Sequence, residues 1–320
     1  MTWQAVARKD IRDAIRSRWL HGATLFFALF LGGTAAIFFG PLGAESVSNL
    51  FGIFVNLGFI SFSFTGLVGL VLGFFALSTS YGAITDERES GAIKLLLSLP
   101  NSRLDVVVGK VIGRSAVVTA SVLVGFVVTF IVLITTGAAL ELDSFAPQIL
   151  LTLMLGVAFG SIGLGISALA NSNREATLAT MGLYLMFAVL WGAVTRGIPR
   201  IINAGADQIG FSGLSDTASA ELTLFLSYLN PLRAYETLSA ELYLDSVQAR
   251  LVTADFTQQQ ALAPSFSDSL PPYFSAGALV LILLIWTVAP VILGRQLEVT
   301  AQREGLFRNT EYPLNTSDFG

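Results

Sequence analysis

The chain has 320 residues, of which 53% are apolar and only 12% charged, with a formal net charge of −4. Soluble domains carry roughly a quarter charged residues, so this composition belongs to a membrane protein. With no cysteine and a single histidine, His21, the chain excludes disulfides, zinc–thiolate and iron–sulfur sites and histidine metal clusters. Its one Gly-Lys pair, Gly109-Lys110, is followed by Val111 and has Leu104 where a P-loop needs glycine, so no nucleotide-binding P-loop is present. No long basic run offers a footprint for nucleic acid.

Six stretches lack Asp, Glu, Lys and Arg altogether: residues 19–44, 46–85, 115–140, 144–173, 176–195 and 269–294. Each can hold the roughly 20 apolar residues of a membrane-crossing helix, whereas barrel strands would read as weak alternation over about ten residues. The fold class expected is an all-α integral membrane protein with six transmembrane helices.

In chain order, residues 1–18 come first. Trp3, Val6, Ile11, Ala14, Ile15 and then Trp19 recur at helical spacing, with Arg8, Lys9, Arg12, Asp13 and Arg16 elsewhere on the wheel. Such a helix suits the membrane surface. Residues 19–195 hold transmembrane helices 1–5. Their 40-residue stretch would reach about 60 Å as a helix, twice the hydrocarbon thickness. Two crossings there would put Arg88, Lys94, Arg103, Lys110 and Arg114 opposite the equally basic N-terminus. One long helix over about 53–80, preceded by an external segment from Ser46, is therefore expected. Residues 196–275 read as an external helical insert, with one stripe at Leu222, Phe225, Leu226 and Leu229, a break at Asn230-Pro231, and a second stripe at Leu232, Tyr235, Leu238 and Leu242. Pro264, Pro271 and Pro272 mark the return to the membrane. Residues 276–294 form helix 6 and residues 295–320 a tail.

Lys and Arg near short loops mark the cytoplasmic side. Fourteen of the eighteen lie in the N-terminal segment, the second connection, the exit of the fourth stretch and the tail, and none in the short opposite connections around 41–51 and 137–147. Both termini are expected in the cytoplasm of a multi-pass cell-membrane protein.

The connection at residues 81–105 is the most informative. Asp86-Glu87-Arg88-Glu89 ends the long helix in water, Ala92 to Leu99 forms a short apolar turn stopped by Pro100, and Ser102 with Asp105 makes a capping box for the next helix. An apolar turn between charged flanks is suited to plug a groove on a soluble partner. By itself the charged cluster also fits a plain solvated helix end. Glu87, Arg88, Glu89, Gly91, Ile93, Leu96, Leu97, Ser98, Pro100, Ser102, Arg103, Val106, Gly109 and Lys110 match E-R-E-x-G-x-[IL]-x-x-L-L-[ST]-x-P-x-[ST]-R-x-x-[IVL]-x-x-G-K. In this motif, and in the layout of an N-terminal amphipathic helix, six crossings and an insert with Asn-Pro before the last, the chain resembles ABC-2 type permeases, the membrane subunits of ABC transporters.

That resemblance implies a permease coupling ATP hydrolysis by a separate ABC ATPase (nucleotide-binding) subunit to substrate export or conformational signalling. It implies pairing with a second permease subunit in a homodimer or heterodimer, and a coupling helix near residues 90–99. Glu87, Arg88, Glu89, Gly91, Ile93, Leu96, Leu97, Pro100 and Arg103 become the partner-coupling residues. ATP and Mg would sit on the partner, with no cofactor or metal on this chain, and the insert at 196–275 has room for an external protein. A channel or secondary carrier working without an ATPase is the alternative, and would need charges inside the crossings. An enzyme would need a nucleophile with a base, or a metal set. Gly69-x-x-x-Gly73, Gly109-x-x-x-Gly113 and Gly156-x-x-x-Gly160 permit close helix approach, within the chain or between subunits.

Overall fold

The computed structural model describes residues 3–39, 64–90, 103–137, 142–254, 256–266 and 270–303, and among them every regular element is a helix. The elements are α1 (Trp3–Ile15), α2 (Arg18–Phe39), α3 (Phe64–Ser80), α4 (Thr85–Glu89), α5 (Arg103–Thr136), α6 (Leu142–Leu169) and α7 (Asn173–Leu185). A π-helical turn, Met186–Leu190, joins α7 to α8 (Trp191–Gln208). Then come α9 (Asp216–Tyr228), α10 (Pro231–Glu241), α11 (Ser246–Thr253), α12 (Phe256–Phe266), a 3-10 turn at Pro272–Phe274, and α13 (Ala276–Arg303).

Six segments are long and apolar enough to cross a bilayer: Arg18–Ile37, Thr65–Glu89, Val108–Thr136, Leu142–Leu169, Asn173–Gln208 and Ala276–Leu293. They match the six charge-free stretches in order. The part of the second crossing before residue 64 lies outside the described residues. The third, fifth and last helices overrun their charge-free stretches, α13 continuing past residue 294 to Arg303 into the segment expected as the tail. α5 starts at Arg103 with Lys110 buried inside it, and α8 runs through Arg196 and Arg200 to Gln208. A charge-free window misses helix turns whose charges are paired or face water.

Apolar burial centres on α6, which packs against α3, α5, α13 and α10. Its Leu155, Ala158 and Phe159 are fully buried, and its glycines let neighbours approach. A Cβ at Gly165 would stand 2.8 Å from Pro290 of α13, and one at Gly163 would stand 3.0 Å from Ser80 of α3. The other small-residue spacings also serve packing within the chain. Gly69 faces Tyr235, Gly73 faces Phe159, Gly156 faces Val118, and Gly109 and Gly113 admit α1, with Trp3 O and Val6 Cβ both 2.7 Å from a Cβ built at Gly109. α1 accordingly lies along α5, burying Val6 and Ala7, while Trp3 and Ile15 stay exposed.

The described helices after Gln208 pack against the spanning helices and one another. Asn230 and Pro231 break the chain as expected, with Pro231 at the first turn of α10 and the Asn230 side chain capping it by accepting from Leu232 N. α10 is buried nearly all round, inserted between α3, α6 and α13 at the end of the bundle opposite α1. Tyr235 fills the notch at Gly69, and its hydroxyl accepts from Gln148 Nε2 (3.0 Å) and lies 3.1 Å from Thr152 Oγ1. Burial pushes the Tyr235 phenol up from its ordinary pKa, so it stays neutral. On α9 the buried positions are Ala220, Thr223, Leu224 and Tyr228 rather than the stripe at Leu222, Phe225, Leu226 and Leu229, because α9 is sandwiched between α8 and α12. Arg250 of α11 is fully buried, pairing with Glu241 and donating to Phe274 O (2.9 Å), which staples the 3-10 turn to α11.

Candidate coupling site

α4 has five residues, too few to stand alone: a single helical turn carries unsatisfied backbone groups at both ends and a nucleation cost. Its neighbours supply what it lacks. Ser167 Oγ of α6 accepts from Ile84 N (3.0 Å) and Thr85 N (3.2 Å), the amides of the N-cap and first residue of α4. In return Arg88 donates from Nη1 to Ala170 O (3.0 Å) and from Nη2 to Ala168 O (3.1 Å), the open carbonyls that end α6. A guanidinium there satisfies two orphan acceptors and complements the negative end of the helix dipole. Glu89 Oε1 accepts from Asn173 N (2.8 Å) and Asp86 Oδ1 from Asn173 Nδ2 (2.7 Å), placing carboxylates at the start of α7. Ser172 Oγ and Glu175 complete that cap.

Glu87 faces the other way. It accepts from Lys110 Nζ of α5 at 2.8 Å and lies 3.7 Å from Lys9 Nζ of α1, with the Lys110 side chain 2% exposed and Glu87 15%. Asp10 of α1 sits in the same cluster, and burial raises its carboxyl pKa against the opposing pull of Lys110 and Arg114. The cluster is densely charged but incompletely bonded: one oxygen each of Asp10 and Glu87, and Arg114 Nε, are buried with no hydrogen-bond partner among the described residues.

Glu87, Arg88 and Glu89 thus lock together α1, α5, the end of α6 and the start of α7. Gly91, Ile93, Leu96, Leu97 and Pro100 lie outside the described residues, as do the Ser102 cap and the side chain of Arg103. Sequence reasoning missed Lys9, Asp10, Ser167 and Asn173. Lys110 was visible only as the end of the motif, and a serine inside an apolar helix gives no signal that it will cap another helix. Among the described residues no group of His, Asp and Glu is placed to hold a metal ion.

Six segments long and apolar enough to cross a bilayer, with the short helix α4 bonded to α1, α5, α6 and α7, define a polytopic helical membrane protein. The chain belongs to the ABC-2 family of transporter proteins, whose family model matches residues 4–301. It is 28% identical over 296 residues, 91% of this chain and 96% of the relative, to a probable ABC transporter permease protein NosY of Pseudomonas aeruginosa. A second probable NosY permease, from Stutzerimonas stutzeri, is 28% identical over 193 residues, 59% of this chain and 67% of that protein.

Proposed function

We propose that this chain is the permease subunit of an ABC transporter, in which ATP hydrolysis by a separate nucleotide-binding subunit drives substrate export or a conformational signal across the membrane. Two such permeases, identical or different, would pair, with residues 90–99 as the docking turn on the cytoplasmic side. The observation that carries this reading is the reciprocal clamp around α4. A push on a flexible loop is absorbed locally, but a push on a loop whose root is bonded to α1, α5, α6 and α7 moves four helices together, which a two-state transmission requires. The same clamp gives Glu87, Arg88 and Glu89 a role inside the subunit, leaving the apolar knob to meet the ATPase.

Copurification with a P-loop protein tests the proposal. Burying one leucine stabilises by roughly 1.5–3 kcal/mol, and losing a central interface anchor costs about 2 kcal/mol or more, so Leu96→Asp should abolish capture of the ATPase while the chain still inserts and folds. Capture unchanged by Leu96→Asp but abolished by a charge introduced in the 171–176 turn would move the docking site to that turn. Labelling of a single cysteine at position 95 by an impermeant maleimide from outside intact cells would overturn the orientation.

A further inference from the structure

A pocket of about 440 Å³ opens where α2 begins, α3 ends and α7 begins, at the α1 end of the bundle. That volume lies within the roughly 300–1,000 Å³ of small-molecule sites. Its mouth is apolar and faces away from the bundle: Trp19, Phe74 and Met181 are all exposed by about half, at 56%, 47% and 49%. Its lining also holds Arg114, Thr180 and Asp86. Arg114 Nε and Thr180 Oγ1 are both buried without a hydrogen-bond partner among the described residues. Buried polar groups are nearly always satisfied, so two unmet donors on one pocket call for an acceptor.

We propose that this pocket binds the headgroup of a zwitterionic aminophospholipid from the adjoining leaflet. The phosphate accepts from the Arg114 guanidinium and the Thr180 hydroxyl, the ammonium meets the Asp86 carboxylate, and the acyl chains run out between Trp19, Phe74 and Met181. Charge complementarity selects this occupant. A purely anionic headgroup would satisfy Arg114 but set its net charge against the Asp86 carboxylate, which is held at the pocket by Asn173, and a neutral apolar ligand would leave Arg114 Nε and Thr180 Oγ1 unmet. The position fits as well, since the pocket lies level with the ends of three membrane spans, where headgroups reside. Bound lipid would tie α3 and α7 together beside the α4 clamp, because Asp86 belongs to both sites.

The test is native mass spectrometry of the full-length chain taken from nanodiscs containing equal phosphatidylethanolamine and phosphatidylglycerol. One phosphatidylethanolamine per chain should survive detergent exchange. Arg114→Gln should reduce its retention at least tenfold, and Asp86→Asn, which keeps an acceptor for Asn173, should shift retention toward phosphatidylglycerol. Arg114 also neighbours Asp10, so Met181→Trp, which fills the mouth from an exposed position, is the companion variant and should expel the lipid without touching the charges. Equal retention of both lipids by the unaltered chain, retention indifferent to both Arg114→Gln and Met181→Trp, or lipid on monomers but absent from dimers would each overturn the proposal. The last result would assign the pocket to a contact between copies. The inference rests on the membrane-spanning fold and not on coupling to an ATPase, so a chain that retains phosphatidylethanolamine yet captures no ATPase refutes only the coupling.

Discussion

Asn230 joins two parts of the molecule with one side chain. Its Oδ1 accepts from Leu232 N at 2.9 Å and caps α10, while its Nδ2 donates at 2.8 Å to Phe187 O inside the π-helical turn between α7 and α8. A π-turn displaces carbonyls from the regular ladder, and this one is answered from α10. Both residues are buried, Asn230 at 1% and Phe187 at 3% exposure. Losing an N-cap costs about 1 kcal/mol, and an inter-helix hydrogen bond in a membrane protein is worth about 0.6 kcal/mol, up to about 1.7. Asn230→Ser keeps a cap and loses only the bridge, so it should cost about 1 kcal/mol; Asn230→Ala loses both, about 2 kcal/mol. Asn230→Asp keeps the cap but turns a buried carboxylate toward the Phe187 carbonyl, and should be the worst of the three at neutral pH, by several kcal/mol. Its folded-state pKa would then lie above the unfolded value, so its stability should be regained as the pH falls toward about 4, where the protonated acid donates to Phe187 O. Steric trapping in bicelles gives the free energies. Trp191 and Trp286, which donate to Leu226 O (3.0 Å) and Leu229 O (2.8 Å) at the end of α9, report local opening by fluorescence. If Asn230→Asp matches or exceeds Asn230→Ser at pH 7, the bridge to the π-turn does not hold these helices together.

Three further outcomes follow from the coupling site. Arg88→Met removes two charge-assisted hydrogen bonds from the end of α6 and should cost about 2–4 kcal/mol, seen first as faster amide exchange across 166–173; unchanged exchange there would disprove the cap. Gly109→Val places carbon against Trp3 O and Val6 and should release α1, with protease cleavage at Arg8 or Arg12 rising while the α6–α13 contact stays protected. The raised pKa of Asp10 means that the docked state favours its proton. Docking of α1 should thus be strongest below the ordinary carboxylate pKa of 3.8 and weaken as pH rises through the elevated value. Asp10→Asn should flatten that dependence, as measured by exchange of residues 3–15 between pH 4 and 7.

What the sequence discloses here follows from what is local. Charge-free length marks the six spans, and Asn230-Pro231 marks a helix start because proline fits the first turn and asparagine the cap. What it conceals is the partner of each polar side chain. Glu87 reads as a solvated end because nothing nearby in sequence says that Lys110 and Lys9 fold onto it. Tyr235 reads as one face of a surface helix because its partners, Gln148, Thr152 and the notch at Gly69, arrive from two other spans. Periodicity places α10 but not the bundle around it. The π-turn at Met186–Leu190 has neither glycine nor proline to announce it. On α9 the more apolar stripe loses to the one that includes Ala220 and Thr223, because small residues permit the closer approach.

The groove for α1 also sets an order of events during synthesis. α1 leaves the ribosome roughly ninety residues before the glycines of α5 that receive it, a delay of roughly 5 to 20 s at ordinary elongation rates. Through that interval this amphipathic helix, carrying Arg8, Lys9 and Arg12, has no groove to enter. α13 is the mirror case: the last of the described helices to be made, it packs over α6 and α10. A chain halted before Ala276 would leave the Gly165 face of α6 open to lipid or to chaperones, so quality control has a definite surface by which to recognise an unfinished subunit.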